Sequence, residues 1–148
     1  MNTSHASRIN ERLLSYWRGV KPAAGLPLES QVDPAVLSDI WDSCFLVQRN
    51  VGAGSPYEYL MLGKALVDAY GDDLTGKTIC EALLYPHPKP LLKAFDEVAK
   101  TGEPLVEDNS FTNPAGMLIK YRSCLLPLAK REGGGVEYVL GGMKWKAY

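Results

Sequence analysis

The sequence lacks any run of apolar residues long enough to cross a bilayer, which takes about 20 of them. Neither sign of charge dominates, because 16 Lys and Arg stand against 17 Asp and Glu and the net charge of the 148 residues is -1. A protein that binds nucleic acid non-specifically usually carries a basic face. We therefore expect neither a membrane nor a nucleic acid as a partner. The opening residues also lack the basic and then apolar layout of a secretion signal, so we expect a cytoplasmic location.

Cysteine and histidine are scarce. The three cysteines, Cys44, Cys80 and Cys124, stand far apart and never in a C-x-x-C pair, which disfavours a zinc site and a disulfide framework. With two histidines in the chain, no Ser/His/Asp or Cys/His set can be assembled for catalysis. Neighbouring acids such as Glu107 and Asp108 do not face each other on a helix or strand, so we expect them to be solvated. We predict a non-enzymatic protein without a metal or cofactor.

Hydrophobic spacing predicts the secondary structure. Residues 5–19 are predicted as an amphipathic helix, because apolar residues recur there every three or four positions. Further helices or helical turns are predicted at 34–40, 64–70, 78–84 and 90–101. Runs of apolar, β-branched and aromatic residues predict strands at 44–47, 57–62, 105–112, 117–128 and 136–145.

The order of these elements predicts the fold class. Two strands precede a helical middle and three follow it, and short turns join them as hairpins. Hairpins pair strands antiparallel, whereas parallel strands need long crossovers. We expect an α+β fold, a five-stranded antiparallel sheet with helices on one face and an additional N-terminal helix. We divide the chain into an N-terminal helix with its connecting loop at 1–32 and a domain at 33–148.

Residues 71–78 match the phosphate-loop pattern G-x-x-x-x-G-K-[ST]. A true phosphate loop follows a buried strand, but the preceding residues 64–70 are predicted to be helical. Asp72 and Asp73 would also place negative charge beside a polyphosphate. We interpret this segment as a turn bounded by glycines.

Five short segments resemble one family. They are SYWRG at 15–19, YLMLG at 59–63, GDDLTGK at 71–77, LLPL at 125–128 and VLGG at 139–142. In this order they resemble the short stand-alone PAS-like family of proteobacteria, the PAS type-5 family. The resemblance implies a PAS fold and a sensory or regulatory role rather than a reaction. Leu60 and Ile40-Trp41 depart from the family pattern, so no shared polar ligand contact at the first hairpin is carried over.

The family resemblance also suggests two candidate cofactors, haem and flavin. Some PAS domains bind haem through a histidine on the long helix, but His87 precedes that helix between two prolines. Light-sensing relatives link flavin to a cysteine in a Gly-x-Asn-Cys segment, whereas the run ending at Cys80 is one residue longer and lacks the Asn. Both residues are therefore interpreted as structural, and no cofactor is predicted.

The sheet face toward the helices is the predicted ligand site. Alternation along two strands places aromatic and hydroxyl side chains there, beneath apolar residues of the helices. Such a site would hold a small apolar or aromatic ligand oriented by Tyr and Ser hydroxyls, unless the same side chains fill a closely packed core. The predicted ligand-binding residues are Tyr59, Met61, Leu83, Leu92, Phe95, Tyr121, Ser123 and Leu125.

The apolar face of the N-terminal helix is a predicted dimer surface. It can fold over its own sheet or pair with a second copy, and two-fold homodimers are the commonest oligomers. Aromatic residues at its centre would be natural anchors. The residues predicted for dimerisation are Ile9, Leu13, Tyr16 and Trp17.

The last hairpin places like charges together. Pairing Leu128 with Val136 sets Lys120 opposite Lys144, and Arg122 opposite Gly142. Like charges directly opposite destabilise a sheet, so this pair would mark an anion or acidic-partner site on the outer face. Simple solvation, or a different register, is the alternative interpretation.

Together these features predict a sensory or regulatory PAS-like module in bacterial signalling that binds a small ligand or a signalling protein. The alternative is a ligand-binding or enzymatic α+β cone, polyketide-cyclase-like or nuclear-transport-factor-like. A cone fold predicts a deep pocket with converging acid and His groups. The lack of an evident His–Asp pair disfavours it.

Overall fold

A computed structural model describes residues 5–49, 57–79 and 89–148. The predicted turn at 51–56 and most of the predicted helical turn at 78–84 lie outside these ranges. Cys80, Leu83 and His87 lie outside them as well. Among the described residues, no helix is both long and apolar enough to span a membrane.

Five strands form one antiparallel sheet in the spatial order β2-β1-β5-β4-β3. The predicted α+β class is therefore confirmed. The strands are β1 (Cys44–Arg49), β2 (Tyr57–Leu62), β3 (Leu105–Thr112), β4 (Leu118–Ala129) and β5 (Val136–Ala147). The helices are α1 (His5–Val20), α2 (Lys64–Tyr70) and α3 (Lys89–Thr101), with short 3-10 turns at Glu29–Gln31 and Trp41–Ser43.

The predicted helix at 34–40 is wrong. The segment is a series of turns in which the Val36 amide donates to the Asp33 carbonyl (3.1 Å) and the Ile40 amide to the Leu37 carbonyl (2.9 Å). A stretch this short cannot repay the cost of nucleating an α-helix by itself. Packing decides its shape instead, because Leu37 and Ile40 are both buried in one apolar cluster with residues of α1.

The two faces of the sheet carry separate apolar layers. The inner face packs against α2 and α3, and the outer face packs against α1. Two adjacent glycines on β5 allow close approach on both sides. A Cβ on Gly141 would collide with the Phe45 ring on the inner face, and a Cβ on Gly142 would collide with Ile9 and Leu13 of α1 on the outer face. The central strand is therefore shaped to admit side chains from both layers.

Helix α1 is held on the outer face of its own sheet. Ile9, Leu13 and Trp17 are almost fully buried there, and the Trp17 indole N–H donates to the Pro127 carbonyl (2.8 Å). Each fully buried side chain of this size contributes about 1.5–3 kcal/mol. At the helix surface, the Arg12 guanidinium binds both carboxylate oxygens of Asp39 (2.9 and 2.7 Å). The apolar face predicted from the sequence thus covers the sheet within one chain.

The register of the last hairpin differs from the predicted one. Ala129, not Leu128, pairs with Val136, and an irregularity between Leu128 and Ala129 shifts the partners that follow. Arg122 consequently lies opposite Lys144, so the predicted pairing of Arg122 with Gly142 is wrong. The like charges remain together, because Lys120 now lies opposite Lys146.

Replacing Gly142 by alanine tests the close contact between α1 and β5, which we call the seat of α1. The new methyl group would force the Leu13 side chain off the strand, and overpacking of this kind costs about 1–3 kcal/mol. We expect Gly142→Ala to lower the free energy of unfolding, measured by urea denaturation. Gly135→Ala is the control, because nothing lies within 4 Å of a Cβ at that exposed loop position. Equal stability of the two variants would contradict the proposed close contact.

Candidate functional site

Aromatic rings fill the centre of the inner face. Neighbouring rings have centroids between 5.1 and 6.3 Å apart, so they form one continuous chain of contacts. Pairs at these distances stabilise a core beyond their area burial. In order of contact the rings are Tyr57, Phe95, Phe45, Tyr59, Tyr70, Phe111 and Tyr121. Any ligand space must therefore lie beside this aromatic chain.

Most of the predicted site residues meet in this layer. Tyr59, Phe95, Tyr121 and Leu125 are buried in it, Leu92 packs against it half-buried, and Ser123 is buried on the same face of β4. Leu83 lies outside the described residues.

Met61 is the exception. The pairing of β1 with β2 shifts so that Leu46 faces Met61 but Val47 faces Tyr59, which leaves Leu60 without a partner position in the ladder. One extra residue reverses the side-chain alternation. Tyr59 accordingly packs in the inner layer and Met61 in the outer one, so the predicted shared face is wrong for Met61.

A cavity of about 300 Å³ remains at the edge of the inner layer, between α3 and β3. Its size suits a small molecule at the lower end of the usual range for ligand pockets. Two carboxylates and one ammonium group line it, so the charges leave a negative excess. The lining residues are Lys93, Ala94, Glu97, Leu105, Glu107 and Asn109.

Glu107 is the residue that gives this cavity its chemistry. It occupies an inward position of β3, directly opposite Ser123 on β4. Its Oε1 atom is buried and has no hydrogen-bond partner among the described residues. Burial raises the pKa of the Glu107 carboxyl, and the nearby charges of Glu97 and Asp108 raise it further. A buried acceptor without a partner is costly, so the carboxylate is poised to accept a donor from a ligand.

Asp108, the next residue, has the opposite environment. It points to the outer face, where the Arg122 guanidinium donates to both of its carboxylate oxygens (2.7 and 3.0 Å). These bonds lower the pKa of Asp108. The expectation that both neighbouring acids are solvated therefore holds for Asp108 and is wrong for Glu107. Alternation along β3 carried the missing signal, because Glu107 shares its face with the apolar Leu105 and the buried Phe111.

The phosphate-loop pattern does not form a phosphate site. Helix α2 precedes it and ends at Gly71, whose φ is 83°. The Gly76 amide donates to the Tyr59 carbonyl (2.7 Å), so it is used along β2, and the Lys77 ammonium pairs with Asp72 (3.2 Å). A phosphate loop needs free amides after a buried strand. The interpretation of residues 71–77 as a turn is confirmed.

The other sulfur and histidine positions contribute no described site. Cys44 and Cys124 are buried, and burial raises the pKa of both thiols to about 12, which makes them unreactive near neutral pH. Within residues 5–49, 57–79 and 89–148, no group of three or more His, Cys, Asp or Glu side chains could hold a metal ion. Cys80 and His87 lie outside these ranges, so the interpretations of both residues stay predictions.

A family model described as PAS domain matches residues 4–144. The chain belongs to the PAS domain family. PAS domains are generally sensory modules that bind ligands or partners, and they are typically non-enzymatic. This membership excludes the alternative cone fold. Comparison with curated proteins finds no match.

Solved structures share the PAS fold. The PAS domain of the fruit-fly ELK potassium channel is 16% identical, with a TM-score of 0.55 over 77% of this chain and 94% of that one. The LOV protein of Rhodobacter sphaeroides is 14% identical, with a TM-score of 0.53 over 91% and 67%. The light-state LOV domain of aureochrome1 is 10% identical, with a TM-score of 0.54 over 77% and 88%. At such identities the similarity shows the fold alone.

Replacing Glu107 by glutamine should remove a destabilising effect of the Glu107 carboxylate, which grows as the pH rises. The raised pKa means that the folded PAS domain binds this proton more tightly than the unfolded chain. Stability is therefore lost as pH rises from the ordinary Glu pKa, about 4.3, through the higher folded value. We expect Glu107→Gln to be more stable than the wild type near neutral pH, with the gain vanishing below about pH 4. Chemical denaturation across this range measures the difference.

Asp108→Asn is the matched control. Its carboxyl pKa is lowered in the folded state, so loss of the charge should weaken the fold at neutral pH rather than strengthen it. If the effect of Glu107→Gln on stability did not change with pH, the pKa of Glu107 would not be raised in the folded state and the prediction would be contradicted.

Proposed function

We propose that this PAS domain senses a small molecule that binds in the cavity between α3 and β3 and donates a hydrogen bond, or a positive charge, to Glu107. The observation that carries the proposal is the Oε1 of Glu107 at the wall of that cavity, which is buried and finds no hydrogen-bond partner in the described part of the chain. An ammonium or amidinium group would satisfy this atom and offset the charges of Glu97 and Glu107. Hydrogen bonds to a charged acceptor are stronger than neutral ones.

The rest of the ligand would contact apolar and aromatic surface. Leu105 and Ala94 line the cavity, and Tyr121 and Ser123 lie on the same face of the neighbouring strand. Among the residues predicted from the sequence, these two and Leu92 are the ones we retain as contacts. Tyr59, Phe95 and Leu125 would instead support the site as packed core.

A ligand effect has a short path to helix α1. Ser123 faces the inner layer opposite Glu107, and the next residue, Cys124, packs in the outer layer with Leu13 of α1. A small displacement of β4 by the ligand would therefore also move Cys124, which packs with α1 on the opposite face. We propose that the seat of α1 is the output of the sensor, and that bacterial signalling through a protein partner reads it.

The homodimer predicted through α1 would need this helix to leave its sheet. Ile9, Leu13 and Trp17 are buried within the chain, and the Tyr16 hydroxyl donates to the Gln31 carbonyl. A second copy could use these side chains by exchanging α1 between two sheets, which is a low-cost route to dimers. The predicted division of the chain into residues 1–32 and 33–148 agrees with this exchange, because the N-terminal part is the one that would move to the second copy.

Benzylamine, benzoate and toluene form a probe set for the cavity, because they share one ring and differ in charge. We expect benzylamine to raise the melting temperature of the wild-type protein, since a ligand that binds only the folded state stabilises it. Glu107→Gln should abolish the shift, measured relative to each variant's own melting temperature. Asp108→Asn keeps the cavity carboxylate and should retain the shift.

Two results would contradict this ligand class. Benzoate or toluene could shift the melting temperature as much as benzylamine, or benzylamine could stabilise Glu107→Gln as it does the wild type. In either case the carboxylate would not select the ligand.

The exchange of α1 predicts a link between packing and the rate at which mixed dimers form. Gly142→Ala loosens the helix from its own sheet without changing the apolar face of the helix. An exchanged dimer seats α1 on β5 of the second copy, where the same methyl group meets Leu13, so the equilibrium dimer fraction should stay the same while the rate of exchange rises. We expect fluorescently labelled copies of Gly142→Ala to form mixed dimers faster than those of Gly135→Ala, measured by energy transfer at micromolar concentration. If sedimentation velocity found no dimer of either variant, Ile9, Leu13, Tyr16 and Trp17 would not form a dimer surface.

A further inference from the structure

A basic groove lies on the part of the outer sheet face that α1 leaves uncovered. It has a volume of about 560 Å³ and runs across the ends of β3, β4 and β5. Lys120 and Arg122 on β4 lie directly opposite Lys146 and Lys144 on β5, so four cations share one face. Like charges directly opposite each other destabilise a sheet, so two adjacent pairs of cations favour the binding of an anionic group.

The chain itself supplies little negative charge there. Among the side chains that line the groove, Asp108 has the one carboxylate, and it is bound to Arg122 (2.7 Å). The Lys120 ammonium lies over the Tyr148 ring, 5.1 Å from its centroid. Lys144 and Lys146 form no ion pair with any residue of the described ranges. The groove therefore carries a strong positive excess in a molecule whose net charge is -1.

Apolar side chains frame these cations. Val106, Leu118 and Tyr148 are exposed, and their strand positions place all three on this outer face. Mixed apolar and basic surfaces favour a peptide or protein, which can fill both kinds of contact, over a bare polyanion.

We infer that this groove binds an acidic segment of a partner protein, in which carboxylates alternate with apolar residues. The carboxylates would pair with Lys144 and Lys146, and the apolar side chains would pack on Val106, Leu118 and Tyr148. The inference goes beyond the proposed ligand site, because it concerns the opposite face of the sheet and needs no molecule in the cavity.

A short fluorescein-labelled peptide that alternates glutamate and valine is the probe, with fluorescence anisotropy as the readout. We expect the wild-type protein to bind it, with affinity falling as salt rises. The double variant Lys144→Glu/Lys146→Glu should bind about tenfold more weakly, because two attractions become repulsions. This variant should fold, since each new carboxylate lies opposite a cation, Arg122 or Lys120.

The control variant Lys130→Glu/Arg131→Glu makes the same change of charge on exposed residues at the other end of the hairpin. It should bind the peptide as the wild type does. An equal loss in both double variants would show that net charge alone attracts the peptide, and would overturn the inference. Absence of binding to the wild-type protein would overturn it too.

Two further outcomes would assign the groove to another occupant. Tighter binding of a double-stranded DNA of the same total charge would indicate a nucleic-acid surface. A concentration-dependent dimer that only Lys144→Glu/Lys146→Glu abolishes would indicate a second copy of this chain. Either result would overturn the proposal of an acidic protein segment.

Discussion

The architecture depends on two adjacent glycines at the middle of the central strand. Gly141 leaves room for the Phe45 ring in the inner layer, and Gly142 leaves room for Leu13 of α1 in the outer layer. Because successive residues of a strand point to opposite faces, this pair thins the sheet on both sides at one place. Helix α1, the aromatic core and the sheet are thereby brought into close contact around β5.

The same alternation separates the two charged regions. Glu107 points inward to a cavity where negative charge is in excess, while Asp108 points outward to the basic groove. Strand β3 thus contributes one carboxylate to the negatively charged cavity and the next to the positively charged groove, and the two lie on opposite faces of the sheet. An inner ligand and an outer partner would act on neighbouring residues of β3 and β4, which is a physical basis for coupling between them.

Much of the fold could be predicted from local patterns. The bounds of β2, α2 and β3 agree with the predicted 57–62, 64–70 and 105–112, because glycine, proline and turn residues mark their ends. The antiparallel order followed from the hairpins. The candidate site was predicted less well, because Tyr121 and Ser123 were placed on the correct face but Glu107 was treated as a solvated acid. Its burial depends on how α3 packs against β4 and β5 beside β3, and these contacts are distant in the sequence.

By itself the sequence determined the five strands, the helices α1, α2 and α3 and the apolar face of α1, since these properties depend on residues a few positions apart. Tertiary structure decided the rest. The bulge at Leu60 moved Met61 to the outer layer, and the irregularity after Leu128 reset the pairing of four cations. A one-residue insertion in a ladder costs little locally but moves every later side chain, so only the packed sheet selects the register.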